Sequence, residues 1–175
     1  MFMRSIILLL FAIPLLGSAQ TTCPTIKGET TEGRALELPT ASAGRHAIVC
    51  VAAGKKAEPL LQDWYGPAYQ RFVSKHGLFA SEHDADLWLV PVFTGLNKAA
   101  FGPTMKRLKE QADPDVAQRV LFVRDEAAAL LDALAIKDRD EPLFLVLDPS
   151  GHIVHRERGA FTVEKLDALE EALGH

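Results

Sequence analysis

Residues 141–159 read EPLFLVLDPSGHIVHRERG, and the fold turns on this stretch. Residues 143–147 are apolar without interruption, which suits a strand buried on both faces. Asp148, Pro149, Ser150 and Gly151 then carry turn chemistry. Asp suits the first turn position, Pro presets φ at the second, and Gly closes the turn. From His152 to His155 polar and apolar residues alternate, the period of a half-buried strand. The unit is therefore a β-hairpin. Residues 156–159 lead out of it. Thr162 is placed to cap a closing helix whose Val163, Leu166, Leu169 and Leu173 fall near helical spacing. Pro142 follows the acidic Glu141 and belongs at the first residue of the strand, because proline donates nothing to a sheet ladder.

Working outward, residues 47–53 (AIVCVAA) form a second apolar run and predict a central buried strand ended by Gly54. Lys55, Lys56, Ala57 and Glu58 follow, and Pro59 fits a first helical turn. A helix to about residue 75 is expected, kinked or broken at Gly66 and Pro67. Its inward face would hold Leu60, Leu61, Trp64, Ala68, Phe72 and Val73. After a loop at 78–84, residues 87–93 (LWLVPVF) predict another buried strand. Pro91 demotes it to an edge, a bulge or an early end. A loop at 94–103, a helix at 105–111, a short strand at 120–123 and a helix at 125–135 complete the middle of the chain. Residues 23–39 are polar, with a short edge strand possible at 35–38. Strand and helix alternate before the hairpin, so parallel strands with covering helices are expected, and the hairpin adds an antiparallel pair.

The chain has 175 residues, enough for one domain with a sizeable core. A net charge of -4 argues against a nucleic-acid partner, which would require a concentrated basic face. Residues 1–19 have the layout of a secretory signal peptide: Arg4, an apolar run over 6–16, then Gly17, Ser18 and Ala19 before the polar Gln20. The run is too short for the ~20 residues of a spanning helix, and Pro14 interrupts it. The mature domain is thus expected to be 20–175, periplasmic or secreted, with no membrane span after cleavage.

Export permits a disulfide, but Cys23 and Cys50 are too few for a scaffold and too far apart for a C-x-x-C motif. Cys50 lies inside a strand and reads as a buried, inert residue. The six histidines show no zinc-ligand spacing. His152 and His155, three apart on a strand, are expected on opposite faces. No metal site, cofactor loop or nucleophile elbow is found. Lys55 and Lys56 are cations at the positive end of a helix, an arrangement that either belongs to a solvated loop or meets an anionic partner.

The succession helix, Pro, apolar strand, D-x-x-G turn, short strand, Gly and amphipathic helix resembles the C-terminal half of thioredoxin-like domains. With the preceding elements the resemblance covers about residues 25–173, nearest to the extracytoplasmic thiol-oxidoreductase and peroxiredoxin branches. It implies an α/β three-layer sandwich, with a central mixed sheet and helices on both faces. It also implies that Pro142 is cis and faces the site. In redox-active members a C-x-x-C pair sits just after the first central strand. The corresponding places here look like Lys55 and Glu58. A narrower likeness, through Leu38, Pro39, Trp64, Pro67, Asp148 and Gly159, is to the mitochondrial ATP synthase assembly chaperones, thioredoxin-like proteins that generally lack the redox pair.

Together these readings imply a redox-inactive binding or assembly factor for a protein or peptide partner, without cofactor or catalytic residue. The implied partner groove comprises Gly54, Lys55, Lys56, Glu58, Trp64, Glu141 and Pro142. The alternative is a thiol-dependent oxidoreductase or peroxidase using Cys23 or Cys50.

Overall fold

The apolar run around Val49 becomes the strand β4 (His46–Ala52), central in a five-stranded sheet and buried from Ala47 to Val51. The computed structural model describes residues 21–74 and 85–174, apart from the side chain of Leu96. The expected loop at 78–84, with His76 and His83, lies outside these residues, as does His175. On one side β4 pairs parallel with β5 (Ala85–Pro91), Val49 opposite Trp88. On the other it pairs antiparallel with β7 (Leu143–Leu147), Val49 opposite Leu145. The turn then brings β8 (His152–Arg158) back along β7. Beyond β8 the short β1 (Thr21–Thr22) pairs at the edge, giving the order β1-β8-β7-β4-β5.

The hairpin is built as its residues predict. Asp148 Oδ1 accepts from the N–H of Ser150 and of His152, both at 2.9 Å, and Gly151 takes φ +83°. The strand after the turn is longer than its alternating part, running to Arg158. Its register skips at Val154: Leu147 pairs with Ile153 and Val146 with His155. One extra residue inverts the alternation, so the two histidines are not set on opposite faces by their spacing. His152 Nδ1 instead lies 3.3 Å from Asp148 Oδ2.

Helices cover both faces of the sheet. Against one face lie α1 (Ala57–Phe72) and α5 (Val163–Leu173), burying Trp64, Ala68, Phe72, Leu166 and Leu169 against Ile48, Phe144 and Val146. Each buried leucine of α5 contributes about 1.5–3 kcal/mol. Thr162 caps this helix, its Oγ1 accepting from the Lys165 N–H at 3.3 Å. Against the other face α4 (Ala127–Ala133) buries Leu130 and Leu131 with Val49, Val51, Leu143 and Leu145. The expected α/β three-layer sandwich with a mixed central sheet is therefore observed.

Three local expectations change. First, of the kink or break expected at Gly66 and Pro67, the break does not occur: α1 runs on through Pro67. A proline clashes with the Cβ of the residue before it, and Gly66 has none. The lost bond to the carbonyl of Asp63 and the crowding of that carbonyl by the ring remain, at an exposed residue whose carbonyl water can serve. Second, the polar segment near the N-terminus contains a strand, β2 (Ile26–Thr30). It pairs with β3 (Ala35–Leu38), the edge strand expected at 35–38, and with β6 (Leu121–Phe122) in a small second sheet. Ile26 is fully buried there, which the surrounding polar residues conceal. Third, the expected loop at 94–103 is largely a 3₁₀ turn over Gly95–Ala100 leading directly into α2 (Phe101–Gln111). A short α3 (Pro114–Ala117) follows. Pro91 ends β5, which forms the edge of the large sheet, as its position predicts.

The end of α4 yields a prediction. The Ile136 N–H donates to Leu131 O at 2.8 Å and the Ala135 N–H to Asp132 O at 3.0 Å, a Schellman motif. Ala135 occupies the left-handed position, φ +54°, where glycine is usual. Ala135→Gly should raise stability by about 0.5–1 kcal/mol, because the left-handed conformation penalises a Cβ. An unchanged or lower urea midpoint would contradict this.

Candidate functional site

Residues 54–58 form the corner after β4. The Ala57 N–H donates to Gly54 O at 3.1 Å, turning the strand into α1. Gly54 lies against the 139–141 segment so closely that a Cβ there would stand 2.2 Å from Arg139 O. Lys56 Nζ donates to Asp140 Oδ2 at 2.6 Å. That hydrogen bond and the Asp140 charge hold the Lys56 ammonium above its ordinary pKa. Arg139 Nη1 donates to Thr94 Oγ1 at 3.0 Å. Glu58, in the first turn of α1, pairs with Arg107 of α2 at 2.8 Å. Lys55 is exposed and has no ion-pair partner among the described residues.

Two expectations about this corner are corrected. The Glu141–Pro142 bond is not cis; the cis bond among the described residues is Leu38–Pro39. Trans is the intrinsic preference of an X–Pro bond by about 0.5–1 kcal/mol. The chain bends before β7 by other means, since Asp138 Oδ1 accepts from the Asp140 N–H at 2.8 Å and folds the segment on itself. Pro142 is buried, and its carbonyl accepts from the Gly159 N–H at 3.1 Å. The shallow groove expected between the corner and residues 140–141 is thus closed by direct contact. Trp64 does not line a groove either. It is 0% exposed, its ring centroid lies 4.2 Å from that of Phe144, and its Nε1 donates to Gly159 O at 2.9 Å. Glu141 is exposed, its carboxylate beside Gly159.

The thiols are divided by the sheet. Cys50 belongs to the cluster that holds Ile48, Trp64 and Phe144, whereas Cys23, whose N–H donates to Gly151 O at 3.0 Å, belongs to the cluster on the opposite face with Val49 and Leu145. They do not form a bridge. Burial raises the Cys23 thiol to about 11 against the opposing charge of Arg156, and burial raises Cys50 well above its ordinary value. Thiolate is the reactive form, so neither group is poised as a nucleophile.

Beside the corner a cleft of about 620 Å³ opens between α1 and α2. Leu61 and Tyr65 form one wall, Thr104 and Leu108 the other, and Leu89 and Pro91 the floor. Lys55, Glu58 and Arg107 stand at its rim. Burial pushes the Tyr65 phenol up to about 12, with Tyr69 and Asp113 adding to the shift and Arg119 opposing it. Sequence reasoning found Gly54, Lys55 and Glu58 but missed the cleft. The available signal was the helical spacing of Phe101, Met105 and Leu108.

No protein-family model matches the chain, and no curated protein matches it. Solved structures do. A thiol:disulfide interchange protein from Bacteroides sp. superposes with a TM-score of 0.60 at 17% identity, covering 90% of this chain and 91% of the other. The pneumococcal exposed lipoprotein thioredoxin from Streptococcus pneumoniae gives 0.55 at 13% identity, over 85% and 99%. StoA from Bacillus subtilis gives 0.53 at 19%, over 86% and 98%. The chain has the thioredoxin-like fold. Identities this low carry the fold and not the activity. The narrower likeness to mitochondrial assembly chaperones is not shown by these neighbours. Of the residues that carried it, Trp64 and Gly159 bond to each other and Asp148 holds the hairpin turn, which are packing roles. In this thioredoxin-like chain the corner after β4 holds Lys55 and Glu58, both exposed, and no cysteine.

Proposed function

We propose that this is an exported thioredoxin-like protein that works by holding a protein partner and not by thiol exchange. The observation that carries the reading is the placement of the two cysteines, each buried and on opposite faces of the sheet, with a lysine and a glutamate at the surface corner. The corner presents Lys55, the pair Lys56 and Asp140, and the pair Glu58 and Arg107. A charged rim of this kind steers encounter and sets specificity for a partner of complementary charge. Crosslinking the native protein in its own cell, then repeating this with the rim charges Lys55 and Glu58 reversed, tests the proposal. Capture that is specific and lost on reversal is expected; no specific capture, or capture indifferent to the rim, overturns it.

The contrasting reading, a thiol-dependent reductase or peroxidase, makes an opposite prediction. In the folded protein Cys23 and Cys50 should resist a maleimide probe at pH 7, and both should react on denaturation in urea. Prompt labelling of either thiol in the native state would revive the enzyme reading. Export is tested separately: material recovered outside the cytoplasm should begin near Gln20. An intact Met1 would refute a cleaved signal.

A further inference from the structure

Lys55 and Lys56 drew attention in the sequence as cations at a helix start, and the fold separates their roles. Lys56 is engaged by Asp140, while Lys55 stands at the rim of the cleft without an ion-pair partner among the described residues. The cleft is of the size of small-molecule sites, which run to about 300–1,000 Å³. Its interior is set by Leu61, Leu89, Pro91, Leu108 and Val120. None of the residues of α2 is fully buried, so the apolar face of that helix is only partly covered.

The backbone around the floor limits what can enter. The Leu89 N–H donates to Arg119 O and the Phe93 N–H to Val123 O, both at 2.8 Å, and the Val123 N–H donates to Pro91 O at 3.0 Å. An extended peptide would therefore meet a β5 edge already paired at these positions, and strand addition needs free ones. The cleft offers apolar side chains and an asymmetric charge. At one end stand Lys55 and Arg107, with Glu58 as the single carboxylate among the rim residues named. Toward the other, Tyr65 lies in the field of two carboxylates, Asp113 and Asp115, and one guanidinium, Arg119, and Asp115 accepts from the Tyr69 hydroxyl at 3.2 Å.

We propose that this cleft binds a long-chain aliphatic carboxylate. The chain lies along Leu61, Leu89 and Leu108, and the carboxylate meets Lys55 and the Arg107 that Glu58 already engages, away from the end where Asp113 and Asp115 outnumber Arg119. The site goes beyond the partner reading and does not depend on it: partner capture can fail while this binding is measured, and the reverse.

The test is calorimetric titration of the mature protein with dodecanoate, below its micelle-forming concentration, against dodecyltrimethylammonium as the cation of equal chain length. Saturable binding of dodecanoate is expected, at least about tenfold tighter than the cation, since one charge-assisted contact accounts for a factor of that order. Lys55→Ala should weaken dodecanoate about tenfold. Glu58→Gln should tighten it, because it removes the competing carboxylate from Arg107; a purely structural role for that pair would give the opposite sign. Gln62→Trp and Thr104→Trp, each filling the cleft from its lining, should abolish binding in protein shown to be folded by circular dichroism. No saturable binding by the parent protein, equal affinity for anion and cation, indifference to Lys55→Ala, weakening by Glu58→Gln, or full binding in both folded tryptophan variants would each overturn the proposal.

Discussion

Trp64→Ala should lower the unfolding free energy by about 3–5 kcal/mol, the usual range for removing a large buried aromatic. The ring lies in the core between α1 and the sheet, tilted against Phe144 and edge-on to Phe161 at 5.2 Å. Its loss would leave a cavity there and release Gly159 O from its partner. Domains are commonly stable by only about 5–15 kcal/mol, so the variant should be close to unfolding at growth temperature. Urea denaturation measures the loss directly. Trp64→Phe, which retains most of the ring volume but not the donor, should sit between the two. If Trp64→Ala instead lost less than about 1 kcal/mol and weakened partner capture, the indole would be a surface contact, as the sequence alone allowed.

Gly54→Ala should be the next most damaging single change. Ordinarily an added methyl at a compatible glycine stabilises by about 0.4–1 kcal/mol through the unfolded chain. Here the methyl would stand 2.2 Å from Arg139 O and 2.9 Å from Arg139 C, both main-chain atoms. The 139–141 segment must move, which strains Lys56 against Asp140 and Arg139 against Thr94. Overpacking of this kind costs about 1–3 kcal/mol. The variant should also gain a protease-sensitive point near Arg139, read by limited trypsin digestion. A stability equal to the parent would show that the segment yields freely and that the closed groove can open.

The sequence made some of this legible because the information is local. Asp148 to Gly151 encode their turn in four residues, Thr162 encodes its cap in one, and an apolar run such as that around Val49 can only be buried. What could not be read depends on contacts between distant segments. Gly54 looks like any strand terminator until Arg139 is brought against it. Trp64 on a helical face fits either a core or a groove, and only the docking of α5 and β7 decides. The cis isomer of Pro142 is implied by the resemblance alone, and the residues around it leave the intrinsic preference for trans in place. The cleft arises between α1, which lines it with Leu61 and Tyr65, and α2, which lines it with Thr104 and Leu108, and neither helix encodes the gap by itself.

The uninterrupted α1 has a consequence for the order in which this protein can change. Gly66 and Pro67 are two poor helix residues that are more tolerable as a pair, since the glycine removes one of the atoms with which the proline would collide. Replacing Gly66 first should place a Cβ against the ring and bend the helix that seats Trp64. Replacing Pro67 first restores a backbone donor and frees position 66 to accept other residues. A Cβ at position 66 is therefore tolerated better once Pro67 is gone, so loss of the proline is the easier first step.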